Sequence, residues 1–190
     1  MSKCTTYAVG QRGAFLATRN SARATREELE RRIASAPASD VIVIDFSGVE
    51  AMTVSFADEF LGRFYTALAA GDVRPVAVLL TGLNEETTEA VDICLERREL
   101  IAAALADSGQ ELLGAREFLA ESYQHVLRLQ KFKAGELAAS LGITPQNANN
   151  RLKRLVQAGA IWKERTTLPG RGGKEFRYAV PVSACANQSQ

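Results

Sequence analysis

The chain has few of the residues that build metal centres, redox sites or membrane spans. Its one histidine is His125, and its three cysteines, Cys4, Cys94 and Cys185, are far apart and form no CxxC pair. We therefore expect reduced thiols, no bound metal ion and no other cofactor. No apolar run approaches the roughly 18 residues of a membrane span, and the N-terminus lacks the apolar core of a signal peptide. These absences predict a cytoplasmic protein that does not bind membranes.

Charge is divided unevenly along the 190 residues. Residues 1–110 carry 11 Lys/Arg and 16 Asp/Glu, a net charge of −5, whereas residues 111–190 carry 12 and 6, a net charge of +6. Together these give the net charge of +1 of the whole chain. An acidic half joined to a basic half predicts two domains with separate tasks, the basic one facing a polyanion.

The acidic half alternates between strand and helix patterns, as an α/β layer arrangement requires. The run at 41–46 is apolar throughout except for Asp45, which is typical of a strand covered on both faces of a sheet. Thr25 followed by Glu28 forms the capping-box pattern of a helix start. Strands are predicted within residues 5–18, 41–46 and 76–80, and helices over about 25–35, 55–70 and 84–105.

The run VIVIDFSGVEAMTVSFADEFLGRFYTAL, residues 41–68, resembles the STAS fold of anti-sigma factor antagonists. It is more similar still to STAS-like proteins that carry a Ser-Phe-Ala-Asp-Glu sequence. The resemblance implies a STAS-like regulatory or partner-binding domain over residues 1–109. In the antagonists a partner kinase phosphorylates a serine at the start of this helix, and that position falls on Ser55. A kinase or signalling ATPase is therefore the protein partner that the resemblance implies.

The residues around Ser55 leave simpler interpretations open. A phosphate on Ser55 would be stabilised by the free amides and dipole of a helix N-terminus, but the same hydroxyl could equally serve only as the helix N-cap. Asp58 and Glu59 could complement the helix dipole or form a paired-carboxylate site. Because no nucleophile, base or phosphate-binding loop accompanies them, we predict no catalytic residue and no enzyme.

The basic half has the pattern of three short helices followed by a β-hairpin with a Pro/Gly/Arg-rich turn. Its segment ELAASLGITPQNANNRLKRLVQAGAIWKE resembles bacterial winged-helix regulators of the MarR and GntR kind. The resemblance implies a winged helix-turn-helix domain over residues 110–182, with its recognition helix at 145–158 and a disordered tail at 183–190. The predicted fold class is thus α+β in two domains, an N-terminal STAS-like α/β sandwich and a C-terminal winged helix-turn-helix.

The recognition helix is predicted to divide into an apolar face and a polar face. Ala148, Leu152, Leu155 and Val156 share one side at 100° per residue, and Thr144 can cap the helix. The opposite side has the amide and basic groups that contact bases and phosphates. Gln146, Asn147 and Asn150 are candidate base readers, and Lys153 and Arg154 candidate phosphate contacts. The remaining candidate DNA contacts are Thr144, Arg151, Lys163, Arg165, Arg171, Lys174 and Arg177, most of them in the wing.

These features favour a DNA-binding transcription regulator whose STAS-like domain receives a signal and controls the winged helix. The alternative is a protein-interaction adaptor of a phospho-signalling or partner-switching system, in which the winged helix docks proteins. A small enzyme using the acidic half is a third hypothesis. Many winged-helix regulators bind palindromic DNA as dimers, so we expect a homodimer on double-stranded DNA, with its interface on the long helices at 84–105 and 115–130.

Overall fold

A computed structural model describes residues 4–37, 40–74, 76–167 and 174–181. Ten strands and seven α-helices lie within these ranges. The strands are β1 (Cys4–Ala8), β2 (Phe15–Leu16), β3 (Val41–Asp45), β4 (Ala51–Met52), β5 (Ala77–Thr81), β6 (Ala102–Ala106), β7 (Gly109–Leu113), β8 (Lys131–Phe132), β9 (Trp162–Thr167) and β10 (Lys174–Ala179). The helices are α1 (Arg19–Ser35), α2 (Val54–Ala57), α3 (Arg63–Ala70), α4 (Glu85–Arg97), α5 (Glu117–Leu129), α6 (Ala134–Leu141) and α7 (Pro145–Gln157).

The acidic half is built on a five-stranded sheet in the order β1-β3-β5-β6-β7. The first four strands are parallel and β7 is antiparallel to β6. A small parallel ribbon of β2 and β4 lies beside this sheet, and a π-helical turn, Asp58–Gly62, joins α2 to α3. The chain is therefore of mixed α+β class, as predicted.

Alternate side chains of the central strands enter two different cores. Ile42 and Ile44 of β3 pack with α1 to α4, together with Val78 and Leu80 of β5. The intervening residues point to the other face, where Leu79 packs against α5 and α7. Residues 41–44 are fully buried for this reason, which confirms the predicted strand covered on both faces.

The C-terminal half lies directly on the second face of this sheet. Leu119 and Tyr123 of α5 share a core with Ile101 and Ala103, and Trp162 packs against Val41, Val43 and Ala77. The main-chain N–H of Val78 donates to the carbonyl of Gly159, 3.0 Å away. The turn after α7 therefore completes the hydrogen bonding of β5, and the two halves are packed together.

The order of elements after residue 114 is helix, short strand, two helices and a hairpin, with β8, β10 and β9 forming a three-stranded antiparallel sheet. The prediction that the helix continues to Leu105 is wrong, because α4 ends at Arg97. Residues 102–106 instead form β6, because an alanine-rich run shows no period that separates a buried strand from a helix. The predicted boundary at residues 109/110 falls inside β7, which belongs to the acidic half's sheet.

Two further predictions differ from the structure. Helix α1 begins at Arg19 and has Thr18 as its N-cap, so the prediction of a helix start at Thr25 is wrong. Thr25 lies inside the helix, where it is buried and its hydroxyl donates to the Ser21 carbonyl. Cys94 is a buried free thiol, but Cys4 is disulfide-bonded, contrary to the expected reduced state. Distance along the sequence does not report which cysteines a fold brings together. Cys185 and the predicted tail at 183–190 lie outside the described residues.

None of the helices within the described ranges is long and apolar enough to cross a bilayer. In the same part of the chain, no group of three His, Cys, Asp or Glu side chains could hold a metal ion. His125 of α5 is hydrogen-bonded through its Nδ1 to the hydroxyl of Ser140, 2.6 Å away. This contact joins α5 to α6.

Candidate nucleic-acid interface

Residues at the two ends of α7 fix where this helix begins and ends. The Thr144 hydroxyl accepts a hydrogen bond from the Asn147 N–H at 3.2 Å, and Pro145 occupies the first turn, where no N–H donor is needed. Gly159 follows the last turn with a φ of +67°. The predicted cap and helix bounds are confirmed within one residue.

The apolar face of α7 is buried as predicted. Ala148, Leu152 and Leu155 are fully enclosed, while Val156 is partly buried. The opposite face is open to solvent, and its polar residues are Gln146, Asn147, Asn149, Asn150 and Lys153. This face has no acidic side chain within α7.

A groove of about 320 Å³ runs between α7 and the hairpin. Its polar lining consists of Asn149, Asn150, Lys153, Gln157 and Lys163, beside Val156 and Tyr178. Amide donors and acceptors thus lie next to two lysines in one concave surface. Asn149 was missed from the sequence because 100° spacing centred on Asn150 leaves it at the edge of the predicted face.

The predicted wing residues divide between two faces of the hairpin. Lys163 is in register with Tyr178, and its Nζ lies 4.1 Å from the centroid of the Phe176 ring. Arg165 is exposed two residues further along β9, so it shares the face of Lys163. These two cations extend the α7 surface along the hairpin.

Arg177 points to the other face of the hairpin. It is in register with Glu164 and lines a separate cavity of about 140 Å³ with Lys131, Lys133 and Glu136. Its Nε is buried without a hydrogen-bond partner among the described residues. Arg171 lies outside the described residues, and for Lys174 only the main chain in β10 is described.

Two arginines of α7 are not brought to the groove. The Arg151 guanidinium donates to the Phe118 carbonyl at 3.1 Å and to the Ser122 hydroxyl at 2.8 Å, and it stacks over the Phe118 ring. Arg154 lies on the side of the helix that faces the acidic half, where it lines a cleft together with Glu96. Arg151 therefore holds α7 to α5, and neither residue is among those that line the groove.

A second candidate site surrounds Ser55 in the acidic half. Thr53, not Ser55, caps α2: its hydroxyl accepts from the Phe56 N–H at 3.1 Å and donates to the Ala17 carbonyl at 3.1 Å. The interpretation of Ser55 as the N-cap is therefore wrong. Ser55 is exposed at the second helical residue, which leaves its hydroxyl free of a capping role.

The two carboxylates of the motif are held by arginines. Asp58 forms a bidentate pair with Arg98, with oxygen–nitrogen distances of 2.7 and 3.0 Å, and the hydrogen bond to Arg98 holds the pKa of this carboxyl below its ordinary value. Glu59 is buried and accepts from Arg63 Nε at 2.8 Å, with Arg23 and Arg26 at 3.7 Å. Asp58 and Glu59 thus have separate cationic partners.

A family model for a STAS-like domain of unknown function (DUF4325) matches residues 23–73. The match runs from α1 to just beyond α3, so it contains Ser55, Asp58 and Glu59. It confirms the STAS-like resemblance for this region and does not extend to α5, α6 or α7. No curated protein and no solved structure is significantly similar to the chain.

Proposed function

We propose that the chain is a DNA-binding transcription regulator in which residues 115–181 act as a winged helix-turn-helix controlled by the STAS-like region. The observation that carries the proposal is the groove in which the exposed amides of α7 meet Lys153 and Lys163. Asn and Gln side chains pair with adenine in the major groove, and lysines neutralise phosphates. The order of helices and hairpin strands also supports this function.

The exposed residues are proposed to make two kinds of DNA contact, to bases and to phosphates. Asn149 and Asn150 lie in the groove and are the proposed base readers, with Gln146 and Asn147 on the same open face. Lys153, Lys163 and Arg165 are the proposed phosphate contacts, since each is a solvated cation at the edge of that face. Arg151 and Arg177 are left out because their side chains are directed elsewhere.

Control by the STAS-like region is supported by the packing of the two halves. The turn at Gly159 is hydrogen-bonded to β5, and α3 contacts α7. A change in the STAS-like region would therefore act on α7 through direct contacts and not through a flexible linker. Phosphorylation of the exposed Ser55 by a partner kinase and homodimerisation on a palindromic site complete the proposal.

Fluorescence anisotropy of duplex DNA, including the chain's own promoter region, tests DNA binding. Lys153→Ala should weaken binding to all sequences and reduce the slope of log K against log salt by about one, because one phosphate contact is lost. Asn150→Ala should instead relax sequence preference at one position, measured by selection from a random DNA pool. Arg31→Ala is the matched control, since Arg31 is exposed on α1, across the sheet from α7. Absence of salt-sensitive binding would refute the proposal.

One observation favours the adaptor as a second candidate function. Phe15 is 71% exposed on β2, whose partner β4 runs directly into the helix of Ser55. Exposed aromatic side chains are enriched at protein interfaces. Affinity capture of a stoichiometric partner that survives Lys153→Glu but not Phe15→Ser would support the adaptor over the DNA-binding function.

A further inference from the structure

A cleft of about 540 Å³ separates the end of α4 from α7. It is lined by two carboxylates, Glu96 and Glu99, and two guanidinium groups, Arg116 and Arg154. A narrower recess of about 60 Å³ shares Glu99 and Arg154 with this cleft and lies between α3 and α7. Neither the α7 groove nor the Ser55 site includes these residues.

The recess has a buried hydroxyl that lacks a partner. Tyr65 lines it, and the hydroxyl has no hydrogen-bond partner within the described ranges. The rest of the wall is formed by apolar residues such as Leu100, Ile101 and Ala158, together with the polar Gln157, which also lines the α7 groove. An unsatisfied buried hydroxyl destabilises the fold, so its presence at a recess suggests that a bound group accepts a hydrogen bond from it.

The cleft presents charges of both signs that are available to a ligand. Arg154 and Glu96 form no ion pair in the described part of the chain. Glu99 and Arg116 are 4.0 Å apart, but their side chains are 84% and 77% exposed, so this contact is weak and easily displaced. A ligand with one carboxylate and one ammonium group would complement the basic and acidic side chains that line the cleft.

We propose that this cleft binds a free α-amino acid. The ligand carboxylate enters the recess, where it accepts hydrogen bonds from the Tyr65 hydroxyl and the Arg154 guanidinium. Its ammonium group faces Glu99 and Glu96, and its side chain extends into the wider cleft. Because Arg154 belongs to α7, such a ligand would bridge α4 and α7. Regulation of DNA binding by the ligand rests on the proposed function, whereas amino-acid binding itself does not.

Isothermal titration calorimetry of the full chain with each of the twenty amino acids, and with acetate and methylamine alone, tests this site. We expect saturable one-to-one binding of at least one amino acid and none of either fragment. Arg154→Gln and Tyr65→Phe should each weaken binding about tenfold or more. Tyr65→Phe should leave the ligand-free melting temperature unchanged or higher, which separates lost recognition from misfolding.

Lys153→Gln is the matched control, because Lys153 neighbours Arg154 but points into the other groove. It should keep amino-acid affinity while weakening DNA binding. A chain that binds DNA but no amino acid would overturn this inference alone, and one that binds amino acids but no DNA would overturn the proposed function alone. Equal binding of acetate, or binding unaffected by both Arg154→Gln and Tyr65→Phe, would also overturn the amino-acid site.

Discussion

The turn after α7 offers a direct test of how the two halves are joined. Gly159 has a φ of +67°, and a Cβ added there would lie 2.5 Å from the Val76 carbonyl oxygen and 3.2 Å from the Val78 nitrogen. Gly142, after α6, has a φ of +64° but no atom within 4 Å of the same position. Alanine at either site must adopt the left-handed conformation. Only at Gly159 would its Cβ also clash with the backbone at β5.

The contacts at the two glycines predict different losses of stability for Gly159→Ala and Gly142→Ala. The left-handed conformation costs alanine about 1 kcal/mol at both sites. At Gly159 the clash adds about 1–3 kcal/mol, and loss of the hydrogen bond from the buried Val78 N–H adds about 1–3 kcal/mol. Gly159→Ala should therefore lower the free energy of unfolding by about 3–7 kcal/mol, against about 1 kcal/mol for Gly142→Ala.

Urea unfolding followed by far-UV circular dichroism and by Trp162 fluorescence provides the assay. Trp162 is the only tryptophan and packs at the junction against Val41, Val43 and Ala77. Coincident transitions are expected because the C-terminal half packs directly on one face of the five-stranded sheet. Equal destabilisation by Gly159→Ala and Gly142→Ala, or an earlier tryptophan transition in the unmutated chain, would refute this docking.

Three further predictions concern the acidic half. Thr53→Ala should lower the free energy of unfolding by about 1 kcal/mol in urea titrations, because it removes the N-cap of α2. Ser55→Ala should change this free energy by less than about 0.5 kcal/mol. A larger loss of stability from Ser55→Ala than from Thr53→Ala would contradict the assignment of Thr53 as the cap. Asp58→Asn should lower the melting temperature at pH 7. Since Arg98 lowers the folded-state pKa of Asp58, this stabilisation is present above the ordinary value of 3.8, and the difference between variant and parent should vanish as pH falls through the folded pKa. Burial raises the pKa of Cys94 to about 11, so a thiol reagent at pH 8 should label this cysteine only as the chain unfolds; rapid labelling of the native protein would show the thiol to be accessible.

Much of the candidate interface could be predicted because its signals are local. Thr144 and Pro145 mark the start of α7, and the spacing of Ala148, Leu152 and Leu155 identifies its buried face. The same spacing could not separate arginines that lie on the flanks of the helix. Arg151 is drawn to a carbonyl and hydroxyl of α5, and Arg154 faces the acidic half; both depend on neighbours distant in sequence.

Short-range periods and caps were enough to predict the buried central strands, the helix that carries Ser55, and the division of α7 into apolar and polar faces. Tertiary structure alone decided that residues 102–106 become a strand, that Asp58 and Glu59 pair with separate arginines, and that the C-terminal helices cover the sheet. These outcomes depend on which distant side chains and strand edges meet, and no local pattern of residues records such contacts.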